Sequence, residues 1–238
     1  KPKYDFFYFT LNANAGIEHK GLRLFVEMLP VLCGKFNLRG QVLVYFPSTG
    51  LPHKLNALKS DERKKISKYS NNIDFIWGWQ SQEKLAEIMA TSRFGFFPNE
   101  MDCSPRIIAE CLLRDRPIVV NSKIWGGWHY VCDDTGDFFE PHNKDSLSKS
   151  IDRVMSKEYK TRDWFMDNYG FEKSSRRLVE FLLPKYKHVE DFSHIYFDKY
   201  QNVIERSCGS EEIMKVSVIT ANHNCKQYIK HCIKSVFE

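Results

Sequence analysis

A chain of 238 residues exceeds one average domain and falls short of two full ones, and its 42% hydrophobic and 27% charged residues are an ordinary globular balance with material for a sizeable core. A formal net charge of +5 suits an anionic ligand or an anionic membrane surface, but no basic stripe interleaved with aromatics marks a nucleic-acid binder. Seven scattered cysteines without a CxxC pair argue against structural zinc and a disulfide framework, and for free thiols in a reducing cytosol.

In chain order, Tyr4–Thr10 (YDFFYFT) reads as a strand, followed by a loop and a helix from about Lys20 to Leu32. Val42–Phe46 is a second strand, and a polar helix is expected near Ser60–Tyr69. Ile73–Trp77, Phe94–Phe97 and Ile118–Val120 are further short strands, with helices over Gln82–Ala90 and Pro105–Leu113. Helical runs over Lys144–Met155, Thr161–Tyr169 and Glu172–Leu183 follow. Such alternation predicts an α/β fold, a doubly wound parallel sheet covered on both faces. Ligands of that architecture bind outside the carboxyl ends of the strands.

Pro184 breaks the pattern. Over Val189–Ile204, Phe192, Ile195, Tyr196, Tyr200 and Val203 fall at i, i+3, i+4 spacing, which predicts an amphipathic helix with an aromatic face. Docking on a neighbouring domain suits it better than a membrane surface, because its polar face is not especially basic. Peripheral membrane association stays open on the net charge alone. Cys208–Glu212 reads as a linker, so the chain divides into residues 1–183, a helical linker over 184–212 and a new start over 213–238. No apolar run approaches the roughly 20 residues that span a bilayer. An opening at Lys1, with neither Met nor signal peptide, reads as a segment cut from a longer protein.

Two nucleotide signatures are missing: no GxGxxG follows the first strand, and no GxxxxGK[ST] occurs. Hydride transfer on a dinucleotide fingerprint and P-loop phosphoryl transfer are both disfavoured. A phosphate cradle here needs a helix N-terminus and isolated cations. Ser104 is a good N-cap and Pro105 fits the first helical position, which would leave the N–H groups of Arg106, Ile107 and Ile108 facing the loop after the strand Phe94–Phe97. Asp102 lies just before the cap and Glu110 about one and a half turns into the helix. An ionised carboxylate accepts strongly from sugar hydroxyls. The plain alternative for Glu110 is an i,i+4 ion-pair ladder with Arg106 and Arg114. For Asp102 it is a cap neighbour favoured by the helix dipole.

The stretch DCSPRIIAE, Asp102–Glu110, followed by CLLRDRPIVVN, resembles the E-x7-E motif and succeeding strand of the retaining glycosyltransferases of GT-B fold, whose usual pattern is E-G-x-P-x-x-x-x-E-A and then P-V-V. His19-Lys20-Gly21 resembles the K-G opening of that family's first helix, where the Lys grips the donor diphosphate. Ile73–Trp79 (IDFIWGW) resembles its strand and glycine beside the nucleobase, and Asp134–Pro141 (DTGDFFEP) a turn further on. The likeness runs in one order over about 180 residues. It implies a Rossmann-like donor half binding a nucleoside diphosphate sugar, with Lys20, Asp102 and Glu110 as the acting residues. Gly21, Ser104, Pro105, Arg106, Ile107 and Trp79 would surround the donor. No metal or other cofactor is implied, and a saccharide or lipid-linked acceptor would belong to an N-terminal half that precedes these residues. Polysaccharide or glycan biosynthesis at the cytoplasmic side is the implied setting.

Two departures stand out. Asp102 occupies a position where Glu is usual, and Asn14 one where the family tends to carry Arg. A binding-only relative and a nucleotide-sugar epimerase of similar fold therefore remain as alternatives. Trp77 and Trp79 divide evenly between core and base stacking, Gly126-Gly127 between a ligand approach and a simple turn, and His129 and His142 read as structural. At the other end, Lys215–Glu238 (KVSVITANHNCKQYIKHCIKSVFE) resembles the first strand and helix of inverting GT-A glycosyltransferases, and it stops before any D-x-D metal motif.

Overall fold

The computed structural model describes residues 2–11, 19–45, 58–103 and 105–182, together with the backbone of 195–197 and 203–205. Strands β1 (Tyr4–Leu11), β2 (Gly40–Tyr45), β3 (Ile73–Trp77), β4 (Ser92–Phe97), β5 (Ile118–Asn121) and β6 (Gly136–Phe139) form one sheet in the order β3-β2-β1-β4-β5-β6. Every pairing in it is parallel. The helices are α1 (Leu22–Leu29), α2 (Ser60–Lys68), α3 (Gln82–Ala90), α4 (Arg106–Leu112), α5 (Lys144–Met155), α6 (Thr161–Tyr169) and α7 (Phe171–Leu182). This is the doubly wound α/β sheet expected from the alternation.

The run of aromatics in β1 follows from burial on both faces. Phe6 and Tyr8 point into one apolar layer with Phe25 of α1, Phe94, Phe96 and Leu147 of α5. Phe7, one residue out of phase, points into the other with Ile88, Phe97 and Ile108 of α4. A parallel sheet buried on both faces favours such near-continuous apolar strands over alternating ones. Each fully buried Phe stabilises the fold by about 1.5–3 kcal/mol.

Local chemistry sets the helix ends. Ser81 caps α3 by accepting from the Lys84 N–H, and Asn143 caps α5 by accepting from the Ser146 N–H. The first helix was expected to run from Lys20 to Leu32; regular α geometry holds only to Leu29 and then widens into a π-helical turn over Pro30–Lys35. Pro30 has no N–H with which to continue the ladder, and the turn closes with the Phe36 N–H on the Val31 carbonyl at 3.1 Å.

Two elements differ from expectation. Gly136–Phe139, read as part of a turn, is the sixth strand, paired with β5 from Ile118↔Gly136 to Asn121↔Phe139. Residues 195–197 and 203–205, placed in an amphipathic helix, are two short antiparallel strands, β7 (Ile195–Phe197) and β8 (Val203–Glu205). Both are β-branched or aromatic along most of their length, and that preference for a pleated surface outweighs a loose helical spacing. By internal contact the chain divides into Lys1–Arg176 and Arg177–Glu238. The remainder of Val189–Ile204, and the new start over 213–238, lie outside the described residues.

Candidate functional site

In the observed strand order the chain reverses direction of growth between β1 and β4, so the crevice of this sheet opens beyond their carboxyl ends. The loop after β1 returns to Lys20 and Gly21, and the loop after β4 carries Pro98 to Pro105. These two loops meet. Lys20 Nζ lies 2.5 Å from Asp102 Oδ2, with the two side chains 21% and 11% exposed. Asn99 Nδ2 donates to the same oxygen at 2.9 Å. Asn99 is buried, and among the described residues its own Oδ1 has no partner. The Tyr8 hydroxyl donates to the Lys20 carbonyl at 2.6 Å, which ties the cation's backbone to β1. Complete burial pushes the Tyr8 hydroxyl far above its ordinary pKa, so it stays a donor.

Glycines bring the loops this close. Gly21, with φ 66°, starts α1 in the left-handed region, and a Cβ there would lie 2.1 Å from the Pro98 carbonyl oxygen. A Cβ on Gly126 would lie 2.1 Å from the Cys103 carbonyl oxygen and 2.8 Å from that of Asp102. The Trp125 N–H donates to the Glu100 carbonyl at 2.9 Å, and Asn121 Nδ2 reaches the Pro98 carbonyl at 3.4 Å. Gly126 packs against the Asp102 loop and braces it.

The helix after that loop is less of an anion cradle than expected. Pro105, not Ser104, is the residue flanking α4, and the Ile108 N–H is taken by the Pro105 carbonyl at 3.0 Å. Ser104 itself lies outside the described residues, as does Asn14. At 7 residues, α4 has barely two turns of aligned dipole. Such a short helix, with one leading N–H already bonded, offers an anion little by itself. Arg106 is exposed, Pro105 is buried, and Ile107 is half-buried against the second apolar layer.

Glu110 is half-buried, and no ion pair joins its carboxylate to Arg106 or Arg114 among the described residues. Arg114 instead donates from Nη1 to the Glu110 carbonyl at 2.8 Å. The i,i+4 ladder is thus not what holds this carboxylate. Trp77 stacks on Phe75 at 5.6 Å between ring centroids and belongs to the core, whereas Trp79 just beyond β3 is 74% exposed. His142 pairs with Glu27 at 2.8 Å, and His129 sits among Trp128, Tyr130 and Tyr169, where burial lowers its pKa. Among the described residues no three His, Cys, Asp or Glu side chains gather into a metal-sized group, and no helix is long and apolar enough to cross a membrane.

Cys103 is an exposed free thiol beside Asp102, while burial pushes the Cys33 thiol up to about 12 and that of Cys111 higher still. A buried, protonated thiol is a poor nucleophile. Iodoacetamide followed by peptide mapping should label Cys103 well before Cys33 and Cys111, and a ligand seated between the loops should slow it. Equal labelling of Cys103 and Cys111 would contradict the packing of α4.

No protein-family model and no curated protein matches the chain. Solved structures do resemble it. A mutant of S. aureus TarM, crystallised with Fondaparinux, alpha-GlcNAc-glycerol and UDP, superposes with a TM-score of 0.57 at 14% identity, over 75% of this chain and 36% of that one. The C-terminal domain of the Francisella tularensis glycosyl transferase group 1 family protein LpcC gives 0.56 at 16% identity, over 71% of this chain and 88% of that domain. Sucrose-phosphate synthase from Thermosynechococcus elongatus gives 0.55 at 13%, over 79% of this chain and 47% of that one. The chain thus spans about a third to a half of the whole enzymes and nearly all of the isolated domain. The likeness establishes the fold, the Rossmann-like architecture of GT-B glycosyltransferases.

Proposed function

We propose that residues 1–183 hold the donor, a nucleoside diphosphate sugar, for a retaining GT-B glycosyltransferase that moves a hexose onto an acceptor hydroxyl in polysaccharide or glycan synthesis. The observation that carries this reading is the meeting of Lys20 and Asp102 at the β1–β4 crevice. One supplies the cation a departing diphosphate requires, and the other the carboxylate that sugar hydroxyls seek. In this reading the bond between the anomeric carbon and the diphosphate oxygen breaks, and the leaving group's charge is met by Lys20, with no metal ion. Glu110 accepts from the ribose hydroxyls and Trp79 lies beside the base. Gly21 and Pro105 hold the loops at contact distance, and Arg106, Ile107 and Ser104 complete the donor's surroundings.

The acceptor, saccharide or lipid-linked, is assigned to an N-terminal half outside these residues, and residues 213–238 to the start of a GT-A domain. The setting proposed is the cytoplasm, with peripheral contact at a membrane surface. A binding-only role is the second reading, favoured by the shorter Asp102 carboxylate and by Asn14. Product formation by a longer chain that includes an acceptor half separates the two.

The ribose assignment has its own test. Glu110→Gln keeps a hydrogen-bond acceptor but loses its charge, which should weaken a ribonucleotide by about five-fold, or roughly 1 kcal/mol. The 2′,3′-dideoxy analogue should bind the variant and the parent alike. Equal losses for both ligands would remove Glu110 from the ribose.

A further inference from the structure

We propose that the Lys20–Asp102 pair is an exchange latch that selects an intact nucleotide sugar over the free nucleoside diphosphate. The proposal rests on the reading of Lys20 as the diphosphate cation. Asp102 Oδ2 takes two donors, Lys20 Nζ at 2.5 Å and Asn99 Nδ2 at 2.9 Å, and the Asp102 side chain is 11% exposed. A phosphate that draws Lys20 away leaves a largely buried carboxylate with Asn99 alone. An uncompensated buried charge is strongly unfavourable.

The two ligands differ in what they offer that carboxylate. A nucleotide sugar brings hydroxyl groups beside its diphosphate, and one of them replaces Lys20 as donor to Asp102. The exchange keeps every charge partnered. A free nucleoside diphosphate brings no such donor, and its terminal phosphate carries one further negative charge towards Asp102. Like charges at this range repel through a partly desolvated medium. Asp102 therefore opposes the product more than the substrate, which favours departure of the nucleotide after transfer. Asn99 keeps one donor on Oδ2 while Lys20 exchanges.

The test uses the full chain and matched ligand pairs: UDP with UDP-glucose, GDP with GDP-mannose, and ADP with ADP-glucose. Calorimetry at low and high salt measures each pair on the parent protein, Asp102→Asn, Asp102→Ala and Lys20→Ala. For the pair that binds, the parent should prefer the nucleotide sugar. Asp102→Asn and Asp102→Ala should both tighten the free nucleotide, by about ten-fold at low salt, and erase the preference. High salt should shrink the gain, because it screens the repulsion. An unchanged preference in both Asp102 variants, or weaker nucleotide binding in both, overturns the latch while leaving Lys20 as the cation. If Lys20→Ala binds every ligand as the parent does, or no pair binds at all, the diphosphate reading itself fails and the latch with it.

Discussion

Lys20→Ala should weaken a nucleoside diphosphate by about ten- to a hundred-fold, the value of a charged hydrogen bond of roughly 1.5–3 kcal/mol, and leave the bare nucleoside unaffected. Two terms act together. The cation is lost, and Asp102, 11% exposed, keeps its charge with only Asn99 to partner it. The second term sets the carboxylate against any anion that enters, so the loss belongs towards the upper end of that range. The seven-residue α4, with one of its leading N–H groups already taken by Pro105, does not make up the difference. Calorimetry showing equal losses for diphosphate and nucleoside would contradict the phosphate role.

Gly21→Ala should be worse for the protein than for any single contact. At φ 66° an alanine pays for left-handed geometry, about 1–2 kcal/mol, and its Cβ would overlap the Pro98 carbonyl, 2.1 Å away at the oxygen and 2.6 Å at the carbon. Both are backbone atoms and cannot swing aside, and such overpacking typically costs about 1–3 kcal/mol more. Denaturant unfolding should therefore show a loss of roughly 2–5 kcal/mol in all. Nucleotide binding should fall as well, because relief of the clash moves Lys20 away from Asp102. A variant of unchanged stability would mean that α1 does not begin against the loop after β4.

The architecture was largely legible because its signals are local. Eight successive residues of β1 with aromatics on both faces, the Ser81 cap before α3 and the Asn143 cap before α5 all declare themselves within a few positions of chain. Gly136–Phe139 did not, because four residues opening on a glycine carry too little β signal until β5 lies alongside. The spacing of Val189–Ile204 hides its strands for the opposite reason: a few aromatics fit a helical period by chance, while β-branched Val203 and Ile204 favour the strand they form.

The site was legible only where a motif names its members. Lys20 and Asp102 are 82 residues apart, and nothing in composition pairs them; the K-G and E-x7-E likenesses assign both to the donor, and the structure sets them in contact. Asn99 and Tyr8 carry no such signal because each acts through a partner that only the fold brings near. A glycine's need to be glycine appears only when its would-be Cβ meets the Cys103 carbonyl. The Ile108 N–H is bonded rather than free, since the helix begins one residue later than its best cap suggests.

The most direct test of the donor-site assignment is a crystal structure of the chain soaked with the nucleotide sugar that calorimetry selects. The account predicts the diphosphate at the carboxyl ends of β1 and β4 with Lys20 Nζ on a phosphate oxygen, a sugar hydroxyl on Asp102, and the Lys20–Asp102 contact opened. Density for the nucleotide sugar elsewhere, or in the crevice with that 2.5 Å contact intact, would contradict it.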